Sequence, residues 1–298
     1  MLPLALQKDL CDGEQVNVRK NGKMGCPAHF PKLFLRQCPA KQSALAIGTK
    51  NEQDCSMPFP EHVFQHTPAL RDLITPPDSS EMRFGHEYFD ELDKQAEAEG
   101  WPPGWRMDHD AREANRQTIL AGRWTQDLWV FAYGSLIWDP AVYVEEYRRG
   151  VLSGWRRSFC MLLEGGRGSH DRPGLMAALD QGGQCDGVVF RIAADLVDRE
   201  TKFMWHREMF AGAYCPVFQE VATPQGPVEA LAFVMDRTNR RYMPHLPLEE
   251  AARMIAVAEG GLGPNFDYLQ SLVMHLDGLG IQDDDMKKLH ATARAYRE

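Results

Sequence analysis

The chain has 298 residues, 44% hydrophobic and 25% charged, enough to bury a core in one or two domains. Acidic residues outnumber basic ones by 42 to 33, giving a net charge of −9, which argues against a nucleic-acid partner. No apolar run approaches the ~20 residues of a membrane-spanning helix, so no membrane partner is expected.

The first ten residues, from Met1 to Leu10, hold too short an apolar stretch for a signal peptide. Seven Cys cannot all pair within one chain, and the reading is a reducing, cytoplasmic compartment. Cys26-Pro-Ala-His29 has a metal-like spacing, but no matching second half follows, so no zinc site is expected.

Residues 1–70 differ from the rest. They hold six Lys but only two Arg, frequent Pro and little periodicity. Such a stretch buries too little apolar surface to offset chain entropy. Residues 1 to about 70 are therefore expected to be disordered or loosely attached. They are either a real extension or a leader upstream of a true start at Met82 or Met107.

Residues 71–123 are read as a helical lead-in. One surface helix runs from Glu87 to Glu97 and is broken by Gly100-Trp-Pro-Pro-Gly104; a second runs from Asp108 to Ala121 and stops at Gly122. The main domain is placed at 124–298. Strands are predicted at Leu128–Tyr133, Val151–Leu163 (with Gly154 as a bulge), Leu175–Leu179, Gly187–Ile192, Val217–Val221 and Val228–Met235. The apolar run from Ala230 to Met235 reads as buried on both faces. A helix at Asp195–Phe210 interrupts the strands, and helices at about 248–259, 265–279 and 284–297 follow them. Strands first and helices last give an α+β class. There is no strand–GxGxxG–helix unit and no GxxxxGK[ST] loop.

Three places could carry chemistry. In the loop Ala132-Tyr133-Gly134-Ser135-Leu136-Ile137, glycine lets backbone approach a ligand, and free N–H groups can hold an anion. From the residues alone, an ordinary strand-ending turn is the favoured reading. Ser135 lacks a GxSxG elbow, so it is not read as a nucleophile. Glu208 shares a helical stripe with Leu196, Glu200, Phe203 and Met204, which aims a carboxyl group at an apolar interior. Burial raises a carboxyl pKa and suits it to acid/base work. The competing reading is a structural ion pair with Arg207 or another arginine. The glycine-rich loop 165–174, read as flexible, offers Arg167 or Arg172 to a carboxylate.

Several segments in series resemble the ChaC-type γ-glutamylcyclotransferases. They are Leu128-Trp-Val-Phe-Ala-Tyr-Gly-Ser-Leu-Ile-Trp138, Arg167-Gly with Pro173-Gly-Leu-Met176, and Trp205-His-Arg-Glu-Met-Phe-Ala-Gly-Ala-Tyr214. Gly261-Leu-Gly-Pro-Asn-Phe-Asp-Tyr-Leu269 completes the series. The resemblance covers about residues 110–297.

It implies a small mixed β-barrel with flanking helices. It also implies a cofactor-free, metal-free lyase that converts glutathione to 5-oxoproline and cysteinylglycine. Carried over residue by residue, the substrate loop is Ala132 to Ile137, the catalytic carboxylate is Glu208, and Tyr214 lines the pocket. Arg167 is the candidate for the rest of the substrate. Ala132 departs from the family, which commonly has glycine there. The alternatives are cyclisation of another γ-glutamyl amide, or a non-catalytic γ-glutamyl-binding protein.

Overall fold

The computed structural model describes residues 59–101 and 103–297. Its centre is a five-stranded mixed sheet of β1 (Leu128–Ala132), β2 (Glu146–Leu163), β3 (Gly174–Ile192), β4 (Tyr214–Val221) and β5 (Val228–Met235). The spatial order is β2-β3-β1-β5-β4. β5 lies between β1 and β4, and its residues from Ala230 to Met235 are all buried, as the unbroken apolar run predicts.

The two strands predicted at 175–179 and 187–192 are the ends of one strand, β3. Its C-terminal end pairs antiparallel with β1, from Leu128↔Ile192 to Ala132↔Val188. Its N-terminal end curls round to meet β5 at Leu179↔Val234, which closes the sheet on itself. The bend is built from glycine. Gly154 on β2 and Gly182 and Gly183 on β3 have φ of 83°, 105° and 72°, in the left-handed region where a Cβ is penalised. The β2–β3 register shifts between Ser153 and Trp155, so Gly154 does mark a bulge. β1 is short, and the loop that follows it leaves the sheet where β3 and β5 converge.

Helices surround this barrel: α1 (His86–Glu99), α2 (His109–Ile119), α3 (Val197–Glu208), α4 (Leu248–Val257), α5 (Asn265–Gly278) and α6 (Asp284–Ala295). α2 starts where the sequence says, because the Asp108 carboxylate accepts from the N–H groups of Asp110 at 2.9 Å and Ala111 at 3.1 Å. It braces α3. The buried Arg116 donates to Thr201 Oγ1 at 2.8 Å and Asp198 Oδ1 at 2.9 Å. The Trp205 indole donates to Asn115 Oδ1 at 2.9 Å.

Of the segment expected to be loose, residues 1–58, including Cys26 and His29, lie outside the described residues. Residues 59–70 depart from the expectation. They include two short 3₁₀ turns, and Phe59, Val63, Phe64 and Leu70 are buried in the main core. The Phe64 ring stacks on Tyr147 at 5.7 Å. Further on, Thr75 N–H donates to Trp138 O at 2.6 Å, and Arg83 pairs with the fully buried Glu200 at 2.7 Å. A chain beginning at Met82 or Met107 would lack Phe59, Val63, Phe64 and Leu70 from this core.

A short hairpin of β6 (Glu259–Gly260) and β7 (Gly263–Pro264) leads into α5. There the buried Asn265 side chain accepts from Leu175 N–H and donates to Leu175 O, both at 2.8 Å. It thereby completes the start of β3 as a neighbouring strand would. Asn265→Leu strands both backbone groups of Leu175, each worth about 1–3 kcal/mol when buried and unmet. Urea unfolding should register a loss of about 2–5 kcal/mol; a change inside experimental scatter would mean that water replaces the amide.

Candidate active site

Glu208 is the last residue of α3, and 12% of its side chain is exposed. Burial raises its pKa above the ordinary 4.5, and the adjacent Arg207 charge pulls the other way. Arg207 Nε lies 3.1 Å from Glu208 Oε1. The same guanidinium donates from Nη2 to Ser135 Oγ at 2.7 Å and from Nη1 to Asp139 O. The two sequence readings of Glu208 are thus both realised: it is a desolvated carboxyl, and it is paired. Arg207 ties it directly to the 132–137 loop.

That loop is set from below. Arg157, buried under it, donates from Nε to Tyr133 O at 2.6 Å. Its Nη groups reach Asp283 and Asp186 O. Because the peptide is trans, holding the Tyr133 carbonyl on Arg157 turns the Gly134 N–H to the opposite side. Ser135 to Ile137 form one 3₁₀ turn, with Ile137 N–H donating to Gly134 O. No described residue accepts from the N–H groups of Gly134, Ser135 or Leu136, which leaves them for a ligand. Ala132, Leu136 and Ile137 are buried and anchor the loop in the core.

Three phenols adjoin Glu208. Tyr133 donates to Phe233 O at 2.8 Å, and Tyr214 to Ala177 O at 3.4 Å. The third, Tyr268 on α5, places its hydroxyl 3.0 Å from where a Cβ on Gly134 would sit, so the glycine makes room for it. Burial raises the pKa of all three, and the Glu208 charge adds to it. They are neutral hydroxyls at physiological pH. Tyr268 was not singled out from the sequence as a pocket residue. Its signal is the spacing Asn265-x-x-Tyr268, one helical turn that puts the β3 clamp and the phenol on neighbouring positions of α5.

The loop 165–174 is not the flexible element its glycines suggest. A Cβ on Gly260 would collide with the carbonyl oxygens of Gly166 and Gly168, and one on Gly174 would lie 2.8 Å from Arg167 O. Leu262 N–H donates to Gly166 O at 2.8 Å. Glycine here serves close backbone packing against the β6–β7 hairpin. Arg167 is half-buried and donates to Pro264 O at 3.2 Å, whereas Arg172 is exposed. The candidate residues therefore divide. The 132–137 loop, Glu208 and Tyr214 come together around Arg207 and Tyr268, Arg167 sits against the start of the helix that carries Tyr268, and Arg172 is exposed to solvent.

The fold is that of the cyclotransferase barrel. It superposes on a yeast γ-glutamyl cyclotransferase described as specific to glutathione, with a TM-score of 0.54 and 20% identity. The match covers 58% of this chain and 97% of that one. The chain belongs to the ChaC-like protein family, whose model matches residues 128–296. It is 40% identical over 163 residues to the glutathione-specific γ-glutamylcyclotransferase of Escherichia coli K12, spanning 54% of this chain and 71% of that protein. It is 33% identical over 168 residues to the human glutathione-specific γ-glutamylcyclotransferase 1, spanning 54% and 76%.

Proposed function

We infer that this protein cleaves the γ-glutamyl bond of glutathione by internal cyclisation, releasing 5-oxoproline and cysteinylglycine. One observation supports this above the others: a desolvated carboxyl, Glu208, is bridged by a single guanidinium to a loop with three unused N–H groups. The E. coli and human relatives, named for this activity, support the choice of substrate.

The substrate supplies its own nucleophile. Its α-amine is mostly an ammonium at neutral pH and must lose a proton before it attacks. In this reading Glu208, as the carboxylate, takes that proton. The freed nitrogen attacks the γ-carbonyl carbon and closes a five-membered ring. The C–N bond to cysteine then breaks, with Glu208 returning its proton to the leaving nitrogen. A second proton, shed as the ring nitrogen becomes the lactam N–H, leaves with the dipeptide as its ammonium. No water is consumed.

Holding the chain folded for this attack is worth roughly 7–11 kcal/mol in well-oriented cases. The N–H groups of Gly134, Ser135 and Leu136 receive the α-carboxylate or the oxyanion that develops on the γ-carbonyl. The neutral phenols of Tyr133, Tyr214 and Tyr268 wall the pocket without adding charge.

No helix among the described residues is long and apolar enough to cross a membrane. We place the reaction in the cytoplasm.

Incubating the purified protein with glutathione and EDTA, and following both products by mass spectrometry, tests the reading. Equimolar 5-oxoproline and cysteinylglycine are expected. Unchanged glutathione in the presence of folded protein would overturn it, and turnover of other γ-glutamyl amides would then name a different substrate.

A further inference from the structure

Four arginines adjoin the strand ends at 162–174, and their surroundings differ; Arg240 pairs with Glu164 at 2.8 Å. Arg172 is exposed at the loop tip. Arg241 is compensated: it reaches Leu162 O at 3.4 Å and Glu164 at 3.9 Å. Arg167 is the exception. It is half-buried, and burial pulls its pKa below the usual arginine value. No carboxylate among the described residues lies within 4.0 Å of it, and the charge of Asp267 offsets the burial only in part. It uses a guanidinium donor for only one bond, to Pro264 O at 3.2 Å, although the group carries five N–H donors in a planar fork.

Its backbone is also fixed. Gly166, Gly168, Gly174 and Gly260 pack so closely around it that a Cβ on Gly260 or Gly174 would meet main-chain oxygen. A desolvated cation with idle donors on an immobilised backbone is costly unless an anion completes it.

The position fits one anion in particular. Arg167 Nη1 donates to Pro264 O at the start of α5, and one turn further along that helix Tyr268 sets its hydroxyl against Gly134. Arg167 therefore adjoins the reacting site across one phenol, displaced from the loop toward the β6–β7 hairpin.

We propose that Arg167 docks the C-terminal carboxylate of the leaving dipeptide, so that the site selects γ-glutamyl peptides with a free terminal carboxylate over γ-glutamyl amines. This assignment rests on the glutathione reading above. It makes Arg167 a specificity residue, with no part in proton transfer.

The test compares glutathione with its glycine amide, which removes the anion and little else. For the wild type, kcat/KM should favour the free acid about 10- to 100-fold, mainly through KM, as expected for a lost charge-assisted bond. Arg167→Gln should bring the two substrates to parity. Arg167→Lys should recover part of the preference, because a lysine keeps the charge without the fork. Arg172→Gln should keep the wild-type preference. Equal wild-type rates on acid and amide would overturn the proposal, as would a full preference surviving in Arg167→Gln. Should Arg167→Gln fail to fold, the wild-type comparison and Arg167→Lys still decide. Turnover of neither substrate would remove the glutathione reading and this assignment with it, whereas equal turnover of both removes the assignment alone.

Discussion

Glu208→Gln is expected to lower glutathione turnover about 10²–10⁴-fold, the usual worth of a positioned acid/base group, while the protein remains folded. Glutamine keeps the shape and one acceptor but cannot take a proton. The wild-type pH profile should carry the signature of the same group. Glu208 acts ionised, and burial raises its pKa, so activity should fall on the acid side at a pH above the ordinary 4.5.

Stability should move in the opposite sense. The folded state binds the Glu208 proton more tightly than the unfolded chain does. The resulting stabilisation is complete below pH 4.5 and is lost as pH rises through the folded value. Above the folded value the wild type therefore carries a desolvated charge that the glutamine variant lacks. Thermal melts on that alkaline side should show Glu208→Gln unfolding no lower than wild type. A variant with full activity would remove Glu208 from the mechanism; an inactive variant that also melts far lower would point to a structural role.

Arg207→Met is expected to lower kcat/KM at neutral pH about 10- to 100-fold, the scale on which a misplaced catalytic group is felt. Arg207 is 6% exposed and spans Glu208, Ser135 Oγ and Asp139 O, so its loss releases the loop and the carboxyl together. Its charge also opposes the effect of burial on Glu208. Without it, the acid limb of the pH profile should shift to higher pH, an effect that loosening of the loop alone would not produce. Lysine at 207 should restore the limb more than the rate, since one ammonium cannot span the three acceptors. An acid limb that stays in place in Arg207→Met would sink the idea that this arginine sets the Glu208 charge state.

Much of this could be read from residue order. The Asp108 cap, the apolar β5 run and the stripe ending at Glu208 are local patterns, and local chemistry decides them. What escaped reading depends on partners far along the chain. β3 is a single strand because Gly182 and Gly183 bend it rather than end it, and their effect shows only against Gly154 on β2. Residues 59–70 pack through 3₁₀ turns, whose three-residue repeat matches neither the helical nor the strand period. The loop at 165–174 is held by Gly260 and Leu262, about ninety residues away, so its composition alone suggests mobility that its packing removes. Glu208 and Arg207 are both legible as residues; the bond from Arg207 to Ser135 exists only once α3 is docked.

The Tyr133 carbonyl is held by Arg157, which is itself held by Asp283, the residue whose side chain caps α6 by accepting from Met286 N–H at 3.1 Å. Tyr268, from α5, fills the space that Gly134 leaves. A loop near residue 134 thus waits for parts made some 130 to 150 residues later. During synthesis, a chain that has emerged only as far as β5 holds Glu208 and the loop but lacks the helices that set them. Such long-range closure comes late in folding. The nascent protein is therefore expected to consume no substrate until α5 and α6 have left the ribosome.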